Sequence, residues 1–381
     1  MTLPIPIKDR LKGHFEGYNL SDKNFVVFSA HPSIDIYAEK ICSFLGRPHG
    51  KRTISSFKCG ESYLCLDESV RDKNVYLIVP IVPDVNSRIV ETLFYIDALK
   101  AAEAKDINII MPCLPYARQD RRNEKREHIG TRVLAECFDA IKGSNKMRLI
   151  TFDMHSAQTE AAYRDTDIEP LRLHSLFAHI VRNFLSEGNL SEITLVSPDF
   201  GGVKRLEKLK ERIALNSEMC GEGSCDVKVA FIHKKRTAHN QSEVCELVGD
   251  IKGRTAILVD DIFDTGGSMI NAATAVKQMG AKKVHVLVAH SYFTEPSIKR
   301  LSEAQKSGFI DKFVFTDTIR LDEKKFSEIK SSGAKVHMIP TTILLADVIA
   351  RIENGKSLSS IYDESDYVEK LYEDINPKEL E

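Results

Sequence analysis

Short apolar runs punctuate the chain at residues 25–28, 75–79, 107–111 and 149–152, then at 193–196, 227–231, 255–259 and 284–288. Four or five consecutive apolar residues are too few for a buried helix, and their failure to alternate with polar ones means that both faces are covered. The stretches between them have helical patterns. Strands alternating with helices predict an α/β fold in which a mostly parallel sheet is flanked by helices. The first four runs fill one lobe, placed at residues 25–165, and the later four fill a second, placed at 166–362. Residues 120–127, DRRNEKRE, break the pattern as a charged run, and 216–226, NSEMCGEGSCD, read as a surface insertion rich in Gly, Ser and Glu. Residues 363–381, DESDYVEKLYEDINPKELE, read as an acidic, solvated C-terminal tail.

Composition narrows the function. A chain of 381 residues, 43% hydrophobic, suffices for two domains with sizeable cores. Lys and Arg number 53 against 55 Asp and Glu, so no net basic field attracts nucleic acid or an anionic membrane, and any anion site must be local. The eight cysteines, at 42, 59, 65, 113, 137, 220, 225 and 245, show neither metal-site pairing nor the framework of a small secreted domain. A reducing, cytoplasmic setting is expected. The first residues, MTLPIPIKDRLKGHFEGYN, lack the apolar core of a signal peptide, and no stretch reaches the roughly 18 apolar residues of a membrane span.

The stretch most informative for chemistry is 257–269, ILVDDIFDTGGSM. A buried strand ends in Asp260 and Asp261, turns through Gly266 and Gly267, and starts a helix. Ligands of open parallel sheets sit at the carboxyl ends of strands. The glycines permit tight backbone and close approach of a ligand, and the amides of Ser268 and Met269 can donate to phosphate oxygens. Asp260 and Asp261 supply acceptors for ribose hydroxyls, with Asp264 and Thr265 nearer the phosphate. Acids at a strand end also commonly cap the next helix. Two adjacent acids, a third four positions on and a glycine pair in one strand-turn-helix context favour the ligand.

The stretch resembles the phosphoribosyl diphosphate motif shared by type I phosphoribosyltransferases and ribose-phosphate pyrophosphokinases. Four further motifs separate the two families. Residues 115–121, PYARQDR, resemble the pyrophosphokinase ATP motif, and 152–158, FDMHSAQ, resemble its Asp-Leu-His segment with Met154 in place of Leu. Residues 197–205, SPDFGGVKR, set Asp199 at a strand end, and 232–240, IHKKRTAHN, carry Lys234, Arg236 and Asn240 at the spacing of the family's Lys-x-Arg and following Asn. Taken singly, each has an ordinary reading as a solvated charge run, a structural histidine or a basic turn. Together, in the family's order, they identify the chain as a member of the pyrophosphokinases.

That resemblance implies two similar phosphoribosyltransferase-type lobes of Rossmann-like build. It implies transfer of the β,γ-diphosphate of ATP to the 1-hydroxyl of ribose 5-phosphate, with Mg2+ as cofactor. Phe57, Cys59, Glu61, Arg118, Gln119, Asp120 and His155 would hold ATP, His155 and Asp199 the metal, and Lys234 and Arg236 the transferring diphosphate. Asp260, Asp261, Asp264, Thr265, Gly266, Gly267 and Ser268 would hold ribose 5-phosphate. In this family a neighbouring subunit completes the adenine pocket, which implies a homo-oligomer built from dimers, on resemblance a hexamer. Cys59 departs from the family, which carries Asp or Asn there. Ser69, Arg126, Ser357 and Ser359 match positions at which many members bind phosphate or ADP as regulators. Two alternatives stay open: a non-catalytic synthetase-associated subunit, expected to have lost charged residues that are retained here, and a phosphoribosyltransferase.

Overall fold

Each of the eight apolar runs forms a strand whose ends fall within about a residue or a few of the run. The structure, a computed structural model, describes residues 5–186, 192–215, 226–235, 244–363, 366–373 and 375–380. They form two units, the first ending its main stretch at Leu171 and regaining 318–320 and 341–358, the second holding the rest. Residues 341–358, assigned from sequence to the second lobe, thus belong to the first.

The first unit contains β1 (Phe25–Ser29), β2 (Arg52–Ser56), β3 (Ser62–Leu66), β4 (Asn74–Ile78), β5 (Asp106–Ile110), β6 (Lys146–Phe152) and β7 (Asp167–Leu171). Five of them make a parallel sheet in the order β1-β4-β5-β6-β7, while β2 and β3 form a separate antiparallel hairpin. Alternate residues of the sheet serve opposite faces. Val75, Leu77, Ile107 and Ile109 join Tyr95, Ile96 and Leu99 of helix Val85–Ala101 and Leu134, Ala135 and Phe138 of helix Gly130–Lys142 in one core. On the opposite parity, Tyr76 donates its hydroxyl to Glu353 Oε1 at 2.7 Å, and Asn74 Nδ2 donates to the same carboxylate at 3.0 Å. Glu353 ends helix Thr342–Glu353, which is buried along most of its length.

That helix is held by polar contacts as well as burial. Tyr37 on helix Asp35–Leu45 shares a hydroxyl hydrogen bond of 2.7 Å with Thr341. Asp347, 0% exposed, accepts from Tyr18 Oη at 2.7 Å, His14 Nε2 at 2.9 Å and Arg351 Nε at 2.9 Å. Leu11, Phe15, Tyr18 and Leu20 are buried, so the segment before the first strand belongs to this unit's core.

The second unit contains β8 (Ile193–Ser197), β9 (Lys228–Lys235), β10 (Val244–Val248), β11 (Thr255–Phe263), β12 (Lys283–Ser291), β13 (Lys312–Thr316), β14 (Val336–Ile339) and β15 (Lys378–Glu379). The sheet order is β10-β9-β8-β11-β12-β13-β14-β15, parallel except for the antiparallel pairs at its two edges. From β8 the chain moves outward to β9, and from β11 it moves the other way to β12. Adjacent parallel strands whose connections diverge open a crevice beyond their carboxyl ends, which is where such sheets bind ligands. That crevice lies past Ser197 and past the end of β11. No helix among the described residues is long and apolar enough to cross a membrane.

The acidic C-terminal segment is not the solvated tail its charge suggests. Val368, Leu371, Tyr372 and Ile375 are buried, and Tyr372 Oη donates to the Pro340 carbonyl at 2.8 Å. Val368, Leu371 and Tyr372 form one face of helix Tyr367–Tyr372, which the acidic residues around them hide in the sequence. Residues 216–225 of the expected insertion lie outside the described residues.

Candidate active site

The loop at the end of β11 is shaped by what cannot fit there. Gly266 has φ of 77° and ψ of −8°, left-handed backbone that suits glycine, and a Cβ on it would lie 2.9 Å from Phe263 Cζ and 3.2 Å from Ile270 Cδ1. Phe263 is itself fixed in an aromatic floor, its ring centroid 4.7 Å from that of Phe313 and 5.6 Å from that of Phe293. Helix Gly267–Gln278 begins at once, and its first intrahelical bond runs from Ile270 N to Gly266 O at 2.9 Å. The amides of Gly267, Ser268 and Met269 precede it, the donors that a helix start can offer to an anion. Arg300 Nη1 donates to the Thr265 carbonyl at 3.2 Å, which holds the loop from outside.

Asp260 and Asp261 stand at the same strand end, Asp261 buried and Asp260 partly so. The Asp261 amide donates to Asp260 Oδ1 at 2.9 Å. Desolvation and then the like charge of Asp261 push the Asp260 carboxyl well above the usual carboxylate range, an effect that Arg205 opposes. Arg205 Nη1 lies 3.4 Å from Asp260 Oδ1 and 3.3 Å from Asp261 Oδ1. Sequence reasoning missed both Arg205 and Arg300, since neither contact is local in sequence.

Asp199 lies exposed just past β8, the strand beside β11, so the two acidic turns share one edge of the sheet. Its Oδ1 accepts from Gly202 N at 3.2 Å, the capping function that a strand-end acid commonly has. The second carboxylate oxygen remains for another partner. Lys234 has its backbone in β9 opposite Cys245, but its side chain, and Arg236 and Asn240 entirely, lie outside the described residues.

In the first unit, the segments after β5 and β6 carry the remaining candidates. Those strands are parallel neighbours, and the Phe152 amide donates to the Pro112 carbonyl at 3.2 Å, so both segments leave the same edge. Arg118 and Gln119 are exposed and Asp120 partly so. Gln119 Oε1 lies 2.6 Å from His128 Nε2, and the Thr131 amide donates to the Gln119 carbonyl at 3.3 Å. The charged run closes on itself: Glu127 Oε2 accepts from the amides of Asn123 at 2.7 Å and Glu124 at 2.9 Å, and the Glu124 and Asn123 bonds hold that carboxyl below its usual range. Asp153 is buried with φ of 31°, and His155 two residues on is exposed.

Gly130 makes the Gln119 geometry possible, because a Cβ there would lie 2.5 Å from Gln119 Oε1 and 2.9 Å from Tyr116 Cδ1. Gly130→Ala should therefore displace Gln119, the residue that the sequence resemblance assigns to ATP, and on that assignment raise the ATP KM by about threefold to tenfold, the worth of one hydrogen bond. An ATP KM unchanged in steady-state kinetics would remove Gln119 from nucleotide binding.

Phe57, Cys59 and Glu61 sit exposed at the tip of the β2–β3 hairpin, where Phe57 N donates to the Glu61 carbonyl at 2.8 Å. The root is anchored by Arg52, which donates to the Ser29 carbonyl at 2.7 Å and to Asp35 Oδ1 at 2.5 Å. Ser69, Arg126 and Ser357 lie exposed in the first unit and Ser359 in the second. Among the described residues no three His, Cys, Asp or Glu side chains form a metal-holding group.

Residues 25–141 match the family model of the N-terminal domain of ribose phosphate pyrophosphokinase, and 225–363 match that of the phosphoribosyl synthetase-associated domain. The ribose-phosphate pyrophosphokinase of Fusobacterium nucleatum is 34% identical over 339 residues, 89% of this chain and 98% of its own. That of Bacillus subtilis is 33% identical over 341 residues, 90% and 98% of the respective chains. The crystal structure of phosphoribosylpyrophosphate synthetase from Mycobacterium smegmatis superposes with a TM-score of 0.72 at 29% identity, covering 87% of this chain and 100% of that one.

Proposed function

The chain belongs to the ribose-phosphate pyrophosphokinase family, and on that premise we propose that it transfers the β,γ-diphosphate of ATP to the 1-hydroxyl of ribose 5-phosphate, releasing AMP. The observation that carries the proposal is the loop after β11, where an acidic pair, a left-handed glycine and a helix start stand in the crevice of a diverging sheet. A diol needs acceptors and a phosphate needs amides, and that loop offers both.

In this reading Asp260 and Asp261 accept from the ribose hydroxyls, and the amides of Gly267 and Ser268 hold the 5-phosphate, with Asp264 and Thr265 alongside. The 1-hydroxyl attacks the β-phosphorus of ATP in line, its proton passes to solvent, and AMP leaves. Phosphoryl chemistry of this kind is catalysed chiefly by positioning and charge neutralisation. The guanidinium fork of Arg118 engages polyphosphate oxygens, Gln119 bonds the nucleotide and Asp120 orients its neighbours. Phe57, Cys59 and Glu61, exposed at their hairpin tip, would meet adenine in a neighbouring subunit of a homo-oligomer.

Magnesium would neutralise phosphate charge and polarise the β-phosphoryl group when it arrives with ATP. Asp199 and His155 are the residues proposed to hold it. An exposed carboxylate with one oxygen engaged fits a hard cation that keeps several waters and takes substrate phosphates as ligands, so a dedicated cage of protein side chains is not required. Ser69, Arg126, Ser357 and Ser359 are proposed to take regulatory phosphate or ADP, and the setting is proposed to be cytoplasmic.

Release of AMP from ATP, dependent on added ribose 5-phosphate and magnesium, tests the reaction directly. Its absence in the pure protein would favour the non-catalytic subunit instead. Lys234→Ala is expected to lower kcat by about a hundredfold and shift the ATP KM by less than about threefold, because a cation aimed at developing charge acts on the transition state. Turnover within about threefold of wild type would exclude Lys234 from the chemistry.

A further inference from the structure

We infer that Arg205 is a positioning residue for the sugar site: by standing between Asp260 and Asp261 it fixes the two carboxylates as the acceptors that a pentose diol requires. This rests on the reading of residues 260–268 as the sugar-phosphate loop. Two carboxylates side by side at a strand end repel each other, and each would turn away or hold a proton without a shared cation. A protonated carboxyl donates where the diol needs an acceptor.

The geometry supplies that cation from the neighbouring strand. Arg205 lies in the first turn of helix Val203–Leu215, which follows β8, and β8 is paired in register with β11, Val196 opposite Leu258. One nitrogen, Nη1, serves both acids, at 3.4 Å from Asp260 Oδ1 and 3.3 Å from Asp261 Oδ1. Oδ1 of Asp260 also receives the Asp261 amide at 2.9 Å, so two donors occupy that oxygen and the ligand's hydroxyl is left Oδ2. The root of Arg205 is rigid. Its amide donates to the Gly202 carbonyl at 3.0 Å, Gly202 N is capped by Asp199, and a Cβ at Gly202 would lie 2.4 Å from Ser197 Oγ. The same short segment therefore carries the candidate metal ligand and the brace of the sugar acids.

Because one nitrogen, Nη1, makes both contacts with the acids, the charge of a lysine should suffice for the pair. The test compares wild type, Arg205→Met and Arg205→Lys in the full chain. Arg205→Met should raise the ribose 5-phosphate KM about tenfold or more and leave the ATP KM within about twofold, and Arg205→Lys should return to within about threefold of wild type. An unchanged ribose 5-phosphate KM in Arg205→Met, or equal rises for both substrates, would overturn the inference.

If Arg205→Met does not fold, the double variant Asp261→Asn, Arg205→Gln is measured against Asp261→Asn alone. With one carboxylate left, loss of the cation should weaken the sugar phosphate less than about threefold, since coupled residues are not additive. A full loss of about tenfold would mean that Arg205 touches the ligand itself, and positioning fails. Calorimetric titration with ribose 5-phosphate needs no turnover, so it decides the matter for Arg205 even if the wild-type chain releases no AMP.

Discussion

Ribose 5-phosphate should bind about a hundredfold to ten-thousandfold more weakly when Asp260→Asn and Asp261→Asn are combined, while ATP binding shifts by less than about threefold. Hydrogen bonds to charged groups contribute about 1.5–3 kcal/mol each, and two of them convert to that range at about 1.4 kcal/mol per tenfold. A carboxyl whose folded pKa lies above its unfolded one holds its proton more tightly when folded, so stability falls as pH rises from the unfolded pKa, about 4, through the raised value. Asp260 is such a group, so it contributes less to stability above its unfolded pKa than below it, and a neutral amide removes that dependence. The double variant removes that penalty but also takes both counter-charges from Arg205, so its unfolding temperature is measured alongside to establish that it is folded. Separate calorimetric titrations with each substrate decide the point, and equal weakening of both would end the assignment of these acids to the sugar.

Asp347→Ala should lower the unfolding free energy by about 3–5 kcal/mol, the usual consequence of removing one member of a buried ion pair. Asp347 is 0% exposed and stands against the buried Arg351, with Tyr18 and His14 also directed at it. Its loss strips Arg351 of a compensating charge and two further donors of their acceptor. Asp347→Asn keeps the volume and should cost less. The chain has no tryptophan, so urea unfolding is better followed by circular dichroism, with hydrogen exchange across helix Thr342–Glu353 to locate the opening. A loss below about 1 kcal/mol would mean that solvent reaches this group when it is needed.

The parallel core was legible because its strands are continuous apolar runs, and such runs arise mainly where both faces are buried. What was missed follows from the same physics. β2 and β3 alternate between partly buried and exposed residues, so a search for unbroken runs passes over them. β14 is interrupted by His337, β13 offers only Phe313, Val314 and Phe315 in succession, and β7 carries Pro170 and two acids. At the candidate site, the loop at residues 260–268 stood out in the sequence because its residues are adjacent. Arg205 could not, because its tie to Asp260 depends on β8 lying beside β11, a fact of topology that no local spacing encodes. Gly130 was invisible for a similar reason: its lack of a side chain matters only because Gln119 and Tyr116 come back against it.

The place of helix Thr342–Glu353 in the first unit sets a timetable for synthesis. Every strand of that unit's sheet has been made once Leu171 is added, yet the helix that engages Tyr76 and helix Asp35–Leu45 comes nearly at the end of the chain. At roughly 5–20 residues per second, a ribosome needs on the order of 10–30 s to make the intervening stretch. Through that interval the growing chain carries a sheet whose second face is covered only in part, by helix Asp35–Leu45 and the segment before the first strand. The nascent protein thus keeps some aliphatic surface unburied until residues 342–353 are made, an interval on which chaperone occupancy and translation speed, rather than final stability, can act.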